Sequence, residues 1–220
     1  MLPVPRTLLL DLDGTLVDTV PDLESALNRL MASRDLAPFG RTDVAAMVGD
    51  GVPALIGKAF AARGGAPDAA AVADFIADYE AHVAEASRSY PGVNETVARL
   101  AARGWGMAVC TNKPERAART LLEAVGLSEL LTAVGGGDSF PFRKPDPAHV
   151  LATLAMVAGR ADAAVLVGDH RNDVVAASGA GVACIFAAWG YGGVGMEKGA
   201  SAVAGDFVEA AAVAERLVVE

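Results

Sequence analysis

The sequence is poor in the residues that build disulfide scaffolds and soft metal centres, with two cysteines, Cys110 and Cys184, and three histidines, His82, His149 and His170, in 220 residues. Two cysteines do not make a framework in a chain of this size, and each lies in an apolar stretch that reads as a strand, so buried reduced thiols are expected. The histidines stand apart, without the spacing of zinc ligands. His82 and His149 are expected at the surface or in helix packing. Any metal should therefore be a hard cation held by oxygen. Positive charge is also scarce: 18 Lys and Arg face 27 Asp and Glu, a net charge of −9. That balance opposes nonspecific attraction to nucleic acid, and it means that an anionic substrate needs a local positive site. No apolar run reaches the roughly 18 residues of a membrane span, and the opening MLPVPRT is too short and too broken by proline for a signal peptide. The expectation is a cytoplasmic protein with no membrane or nucleic-acid partner. Aromatic residues make up only 5%; Phe60, Phe75 and Trp105, with Met31 and Met47, fall on apolar stripes and are expected in the core. Trp189 and Tyr191, in the glycine-rich WGYGGVG, fit the core or the mouth of a site equally well.

What is present in quantity is apolar surface, 53% of residues against 20% charged. This balance supports a packed core, and the length allows one domain with a substantial insertion or two sharing a cleft. TLLLDLDGT begins as an uninterrupted apolar run and ends in acids and glycine, which predicts a buried parallel strand over residues 7–12 opening into a loop. From Pro21 the period becomes helical: Leu23, Ala26, Leu27, Leu30 and Met31 share a face, with Asp22 and Glu24 suited to the first turn. Two further helical stripes follow, through Leu55, Ile56 and Phe60 and through Phe75, Ile76 and Tyr79, with no strand between them. Residues 17–87 are thus expected to be all-helical, ending near the YPGV turn. Beyond it, strands (GMAVCT, LTAVG, AVLVG, GVACIF and a short SAVA) alternate with helices. That alternation implies a parallel sheet with right-handed crossovers. The expected fold is α/β, a doubly wound, Rossmann-like parallel-sheet core over residues 1–16 and 88–220, with an inserted all-helical cap domain over residues 17–87.

In an open parallel sheet, ligands bind beyond the carboxyl ends of the strands. Polar residues mark four such ends: Asp11 and Asp13, Thr111 and Asn112, Lys144, and Asp169 with Asp173. A phosphate monoester repels an anionic nucleophile, so attack by a carboxylate needs a cation between the partners and donors around the phosphoryl oxygens. Asp11 can attack phosphorus while holding a metal. Asp13, two residues on, can protonate the leaving alcohol and then activate water. Gly14 permits a sharp turn with amides free for phosphate, while Thr111, Asn112 and Lys144 can bind the transferring oxygens.

In order along the chain, DLDGTLVDT, CTNK, RKPDP and GDHRND resemble the four motifs of the haloacid dehalogenase superfamily. The helical stretch after the first motif resembles that superfamily's cap. VGDGVPALIGKAF, CTNKPERAARTLLEAVGL, GGGDSFPFRKPDP and the late WGYG are similar to its phosphoglycolate phosphatase branch. The resemblance implies a phosphatase with Mg2+ as cofactor, held by Asp11, the backbone carbonyl of Asp13 and Asp169, with Asp173 orienting water or Lys144. It implies a small phosphorylated metabolite as substrate, 2-phosphoglycolate above hexose phosphates. In the cap, Lys58, Arg41 and the amides around Gly49, Asp50 and Gly51 are candidates to meet a substrate carboxylate. Lys113 is a further candidate, although a solvated face suits Lys58, Arg41 and Lys113 better than a substrate contact does. Two residues depart from the branch pattern: His170 replaces an expected serine or threonine, and Asp50 replaces an expected asparagine, and the negative charge of Asp50 would repel an anion if it pointed inward. A phosphosugar mutase or sugar-phosphate phosphatase is the enzyme alternative. A receiver-like phosphoacceptor is the non-enzyme one, although its acceptor ends a central strand with no helical insert behind the first strand.

Overall fold

A computed structural model describes residues 6–218. In chain order its elements are β1 (Thr7–Leu10), β2 (Val17–Asp18), α1 (Val20–Ala32), α2 (Arg41–Ala45), α3 (Val52–Ala62), α4 (Ala71–Ala81), β3 (Arg88–Ser89), α5 (Val93–Ala102), β4 (Gly106–Cys110), α6 (Glu115–Ala124), β5 (Ala133–Gly135), α7 (Pro147–Met156), β6 (Ala164–Gly168), α8 (Arg171–Gly179), β7 (Ala183–Ala187), β8 (Ala202–Ala204) and α9 (Phe207–Leu217). Six strands form one sheet in the order β5-β4-β1-β6-β7-β8, with every pairing parallel. β1 is central, Leu10 lying opposite Val109 on one side and Val167 on the other.

The apolar run of β1 is explained by burial on both faces. Successive side chains point to opposite sides of a strand, so Leu8 and Leu10 pack with Val97, Leu121 and Phe207 of α5, α6 and α9. Leu9 points the other way, onto Val150 and Leu154 of α7 and Val174 of α8. The sheet is therefore covered by helices on both sides, as the doubly wound reading expected. Cys110 and Cys184 are buried and free, and burial raises the Cys110 thiol to about 11. Among the described residues no helix is long and apolar enough to cross a membrane.

Helices α1–α4 enclose an apolar cluster of their own, built on Leu27, Met31, Ile56, Phe60 and Phe75. Phe75 stacks on Tyr79 one turn later, with ring centroids 5.9 Å apart. Two features here differ from the sequence reading. First, the stretch 17–87 is not helical at its edge: Val17–Asp18 pairs antiparallel with Arg88–Ser89 in a two-stranded ribbon. Two residues are too short to show a period, and their partner lies some 70 positions away. Second, the five-residue α2 had no recognisable stripe, since one turn buries only Val44. The first expected strand also ends at Leu10, two residues early, although the Asp11 amide still donates to the Val167 carbonyl at 2.9 Å. Asp22 does more than complement the α1 dipole. Its carboxylate accepts from the amides of Ala86 and Ser87 and from the Ser87 hydroxyl at 2.5 to 2.9 Å, tying the start of α1 to the chain that leaves α4.

Candidate active site

Three strand ends and the loop before α7 converge beneath the helices α1–α4. Asp11 follows β1, Thr111 follows β4, Lys144 precedes α7 and Asp169 follows β6. Asp11, Thr111, Lys144, Asp169 and Asp173 are all buried. Ligand atoms of Asp11, Asp169 and Asp173 lie within 4.8 Å of one another. Lys144 reaches into this group, its ammonium 3.0 Å from Asp11 and 2.5 Å from Asp173, and donates to the Cys110 carbonyl at 2.5 Å.

One buried ammonium does not neutralise three buried carboxylates. Burial, with the charges of Asp173 and Asp13 adding to it, raises Asp11 to about 6 despite the opposing pull of Lys144. Burial and the charges of Asp11 and Asp173 likewise lift Asp169 well above the usual carboxylate range. Burial also works against the Lys144 charge, but Asp11 and Asp173 outweigh it and hold the ammonium protonated far above neutrality. The oxygen-only donor set and its surplus negative charge fit a hard divalent cation.

The local sequence enforces this geometry. Gly14 has φ +79°, and a Cβ there would lie 2.3 Å from Asp169 Oδ2 and 2.8 Å from the Tyr191 ring; space and backbone both demand glycine. Asp169 Oδ2 accepts from the Tyr191 amide at 2.6 Å. Asp173 is fixed by Lys144 on one oxygen and by the His170 amide, at 3.0 Å, on the other. His170 supplies through Nδ1 the acceptor that caps α8, taking the Asn172 amide at 3.2 Å. The imidazole thus performs the capping task for which a hydroxyl residue was expected. Burial lowers the His170 pKa, which keeps Nδ1 free to accept.

Other expected site residues separate into two groups. Thr111 takes the Lys113 amide on its hydroxyl at 3.2 Å. The Asn112 amide nitrogen is used structurally, donating to the carbonyls of Gly49 at 3.0 Å and Lys144 at 2.8 Å, while its carbonyl oxygen has no hydrogen-bond partner. Gly49 and Gly51 line the cavity above the site. Asp50 and Lys58 do not. They pair with each other at 2.7 Å, and Asp50 also accepts from Asn172 at 2.8 Å. The side chain of Asp50 is therefore committed to Lys58 and α8, and it does not oppose an anion in the cavity. Arg41, largely exposed, faces Glu24.

The sequence reading undervalued three residues. Lys113 is not on a solvated face; it is buried, 3.0 Å from Asp13 and 2.8 Å from the Tyr79 hydroxyl of α4. Tyr191 lines the cavity and bonds Asp18 at 2.7 Å and the Thr19 amide at 2.6 Å, whereas Trp189 turns inward onto Phe207. His149 is fully buried: Nδ1 accepts the Lys144 amide and the other ring nitrogen meets the Gly135 carbonyl, each at 3.1 Å. The cue for Lys113 was its place in CTNK beside Thr111 and Asn112. For His149 the sequence shows no cue, because it sits within α7 and its partners are an amide in the preceding loop, Lys144, and a carbonyl at the end of β5, Gly135.

The family model described as haloacid dehalogenase-like hydrolase matches residues 5–181. The chain belongs to this family. A phosphoglycolate phosphatase of Rhodospirillum rubrum is 43% identical over 213 residues, covering 93% of this chain and 88% of that one. One of Caulobacter vibrioides is 44% identical over 189 residues, covering 84% and 80%. The crystal structure of a predicted phosphoglycolate phosphatase from Haemophilus somnus superposes with a TM-score of 0.88 at 27% identity, over 97% of this chain and 99% of that one.

Proposed function

We propose that this member of the family is a Mg2+-dependent phosphatase of small phosphate monoesters, with 2-phosphoglycolate as preferred substrate. The observation that carries the reading is the juxtaposition of Asp11 with Lys144 and Asp169 at the end of the central strand, with Asp13 two residues on and facing the same cavity. Asp11, the backbone carbonyl of Asp13 and Asp169 would hold the ion, and Asp173 fixes Lys144. The ion supplies charge neutralisation and Lewis acidity at the phosphoryl oxygens.

Asp11 Oδ forms a bond to phosphorus as the bond to the ester oxygen breaks, and Asp13 gives that oxygen its proton. The carboxylate of Asp13 then takes a proton from the water that attacks the aspartyl phosphate, which releases inorganic phosphate and restores Asp11. Lys144 offsets the charge of the nucleophile, and Thr111 lies beside it to donate to a phosphoryl oxygen. The helices α1–α4 act as the cap that excludes bulk water. The cavity, about 60 Å³, suits a small ester, and the relatives named phosphoglycolate phosphatase support a two-carbon acid.

Hydrolysis of a panel of phosphate esters tests this. A larger kcat/KM for 2-phosphoglycolate than for hexose phosphates is expected, abolished by a chelator, restored by Mg2+ and lost in Asp11→Asn. A larger value for a sugar phosphate or nucleotide would overturn the substrate, and metal-independent turnover would overturn the mechanism.

A further inference from the structure

The substrate reading requires a cation for a carboxylate, and the cap cations expected to supply it, Lys58 and Arg41, are engaged outside the cavity. Leaving the carboxylate of a closed-in substrate unpaired would be costly. Among the described residues, Lys113 is the only lysine or arginine that lines the cavity. Its ammonium lies 3.0 Å from Asp13 and 2.8 Å from the Tyr79 hydroxyl.

Its position can be compared with the shape of the substrate. The leaving oxygen of an ester must come within hydrogen-bond reach of the Asp13 carboxyl. In a two-carbon acid a single methylene separates that oxygen from the carboxyl carbon, so a carboxylate oxygen lies about 3 Å from the leaving oxygen. An ammonium 3.0 Å from Asp13 is therefore within ion-pair reach of that carboxylate. A longer acid would carry its carboxylate one bond further from the leaving oxygen, and among the described residues the cavity lining holds no second lysine or arginine to meet it there.

We propose that Lys113 is the specificity-determining residue that binds the substrate carboxylate. Resting on the substrate reading above, this assigns the recognition of the acid to the core loop that follows β4 and leaves the cap to supply shape. The Tyr79 hydroxyl, at 2.8 Å, and the Tyr79 ring, 4.4 Å from the ammonium, aim it. Asp13 is its partner in the free protein, and the incoming carboxylate shares or takes over that contact.

The test compares 2-phosphoglycolate with ethyl phosphate, which has the same two carbons but a methyl in place of the carboxylate, in wild type and Lys113→Gln. The ratio of their kcat/KM values should fall about tenfold or more in the variant, because removing one partner of a buried charge pair acts on the charged ligand selectively. A lysine that only braces Asp13 and α4 would lower both rates by one factor, and an unchanged ratio overturns the proposal. Should Lys113→Gln fail to fold, calorimetric binding decides: Asp11→Asn is compared with Asp11→Asn/Asp13→Asn, in which Lys113 has lost its anionic partner. The double variant should tighten 2-phosphoglycolate about threefold more than ethyl phosphate, and equal changes overturn the assignment. If wild type itself shows no preference for 2-phosphoglycolate, the substrate reading fails and Lys113 loses its role with it; a wild-type preference that survives in Lys113→Gln removes Lys113 alone.

Discussion

In the absence of metal, the active-site acids should weaken the fold, and Asp11→Asn should strengthen it. Burial, with the charges of Asp173 and Asp13 adding to it, raises the Asp11 pKa from 3.8 to about 6 against the pull of Lys144. At 1.36 kcal/mol per pKa unit, keeping it ionised at pH 8 costs the folded state about 3 kcal/mol relative to the unfolded chain. The amide of Asn resembles the protonated acid and avoids this cost. For a chain of this size, each kcal/mol moves the melting temperature by about 2–4 °C, so the chelated variant should melt about 6–12 °C above chelated wild type at pH 8. The sign with pH follows from proton binding. Between pH 3.8 and about 6 the folded state holds more protons than the unfolded one, so stability from this group falls as pH rises through that window and the full cost is present above it. The advantage of Asp11→Asn should therefore shrink at pH 5 and vanish near pH 4. Mg2+ should raise the melting temperature of wild type at pH 8 and raise that of the variant less. Thermal melts by circular dichroism in chelator at the two pH values read all of this. A variant that melts below wild type at pH 8, or by the same margin at pH 8 and pH 5, would refute the account of the site as an under-neutralised acid cluster.

Asp13→Asn should keep substrate binding and the backbone carbonyl but lose the proton shuttle, lowering kcat about a hundredfold or more in steady-state assays; an unchanged kcat would remove Asp13 from the mechanism. His149, lowered from 6.5 to about 4 by burial and the Lys144 charge, contributes stability that is complete above pH 6.5 and is lost as pH falls through 4. Up to about 3 kcal/mol is involved, so urea unfolding at pH 7.5 and 4.5 should show a smaller acid loss in His149→Gln. Lys58→Ala should change kcat/KM for 2-phosphoglycolate by less than about twofold, because an exposed ion pair of this kind contributes little; a large drop would return Lys58 to the substrate site.

Which parts of the molecule were legible in the sequence follows from the range of the forces involved. The apolar run TLLL reports that both faces of a strand are buried, and the 3.6-residue stripes of α1 and α4 report one buried face each. These are local signals, repeated along contiguous residues, and they determined the alternating α/β core, the helical segment after the first strand and the strand ends where Asp11, Thr111 and Asp169 stand. The tertiary structure alone decided what those side chains touch. Lys113 and Lys58 look alike in sequence, each a lysine on a helix or beside one, yet one is buried against Asp13 and Tyr79 and the other is spent on Asp50. The ribbon of β2 with β3, and the hold of His149 on the Lys144 loop, join residues with no shared period. Charge and hydrogen-bond partners act over a few ångströms in space, whatever the separation along the chain. The sequence therefore determined which chemical groups arrive at the carboxyl edge of the sheet, and only the packing of α1–α4 over that edge decided which cation faces the cavity.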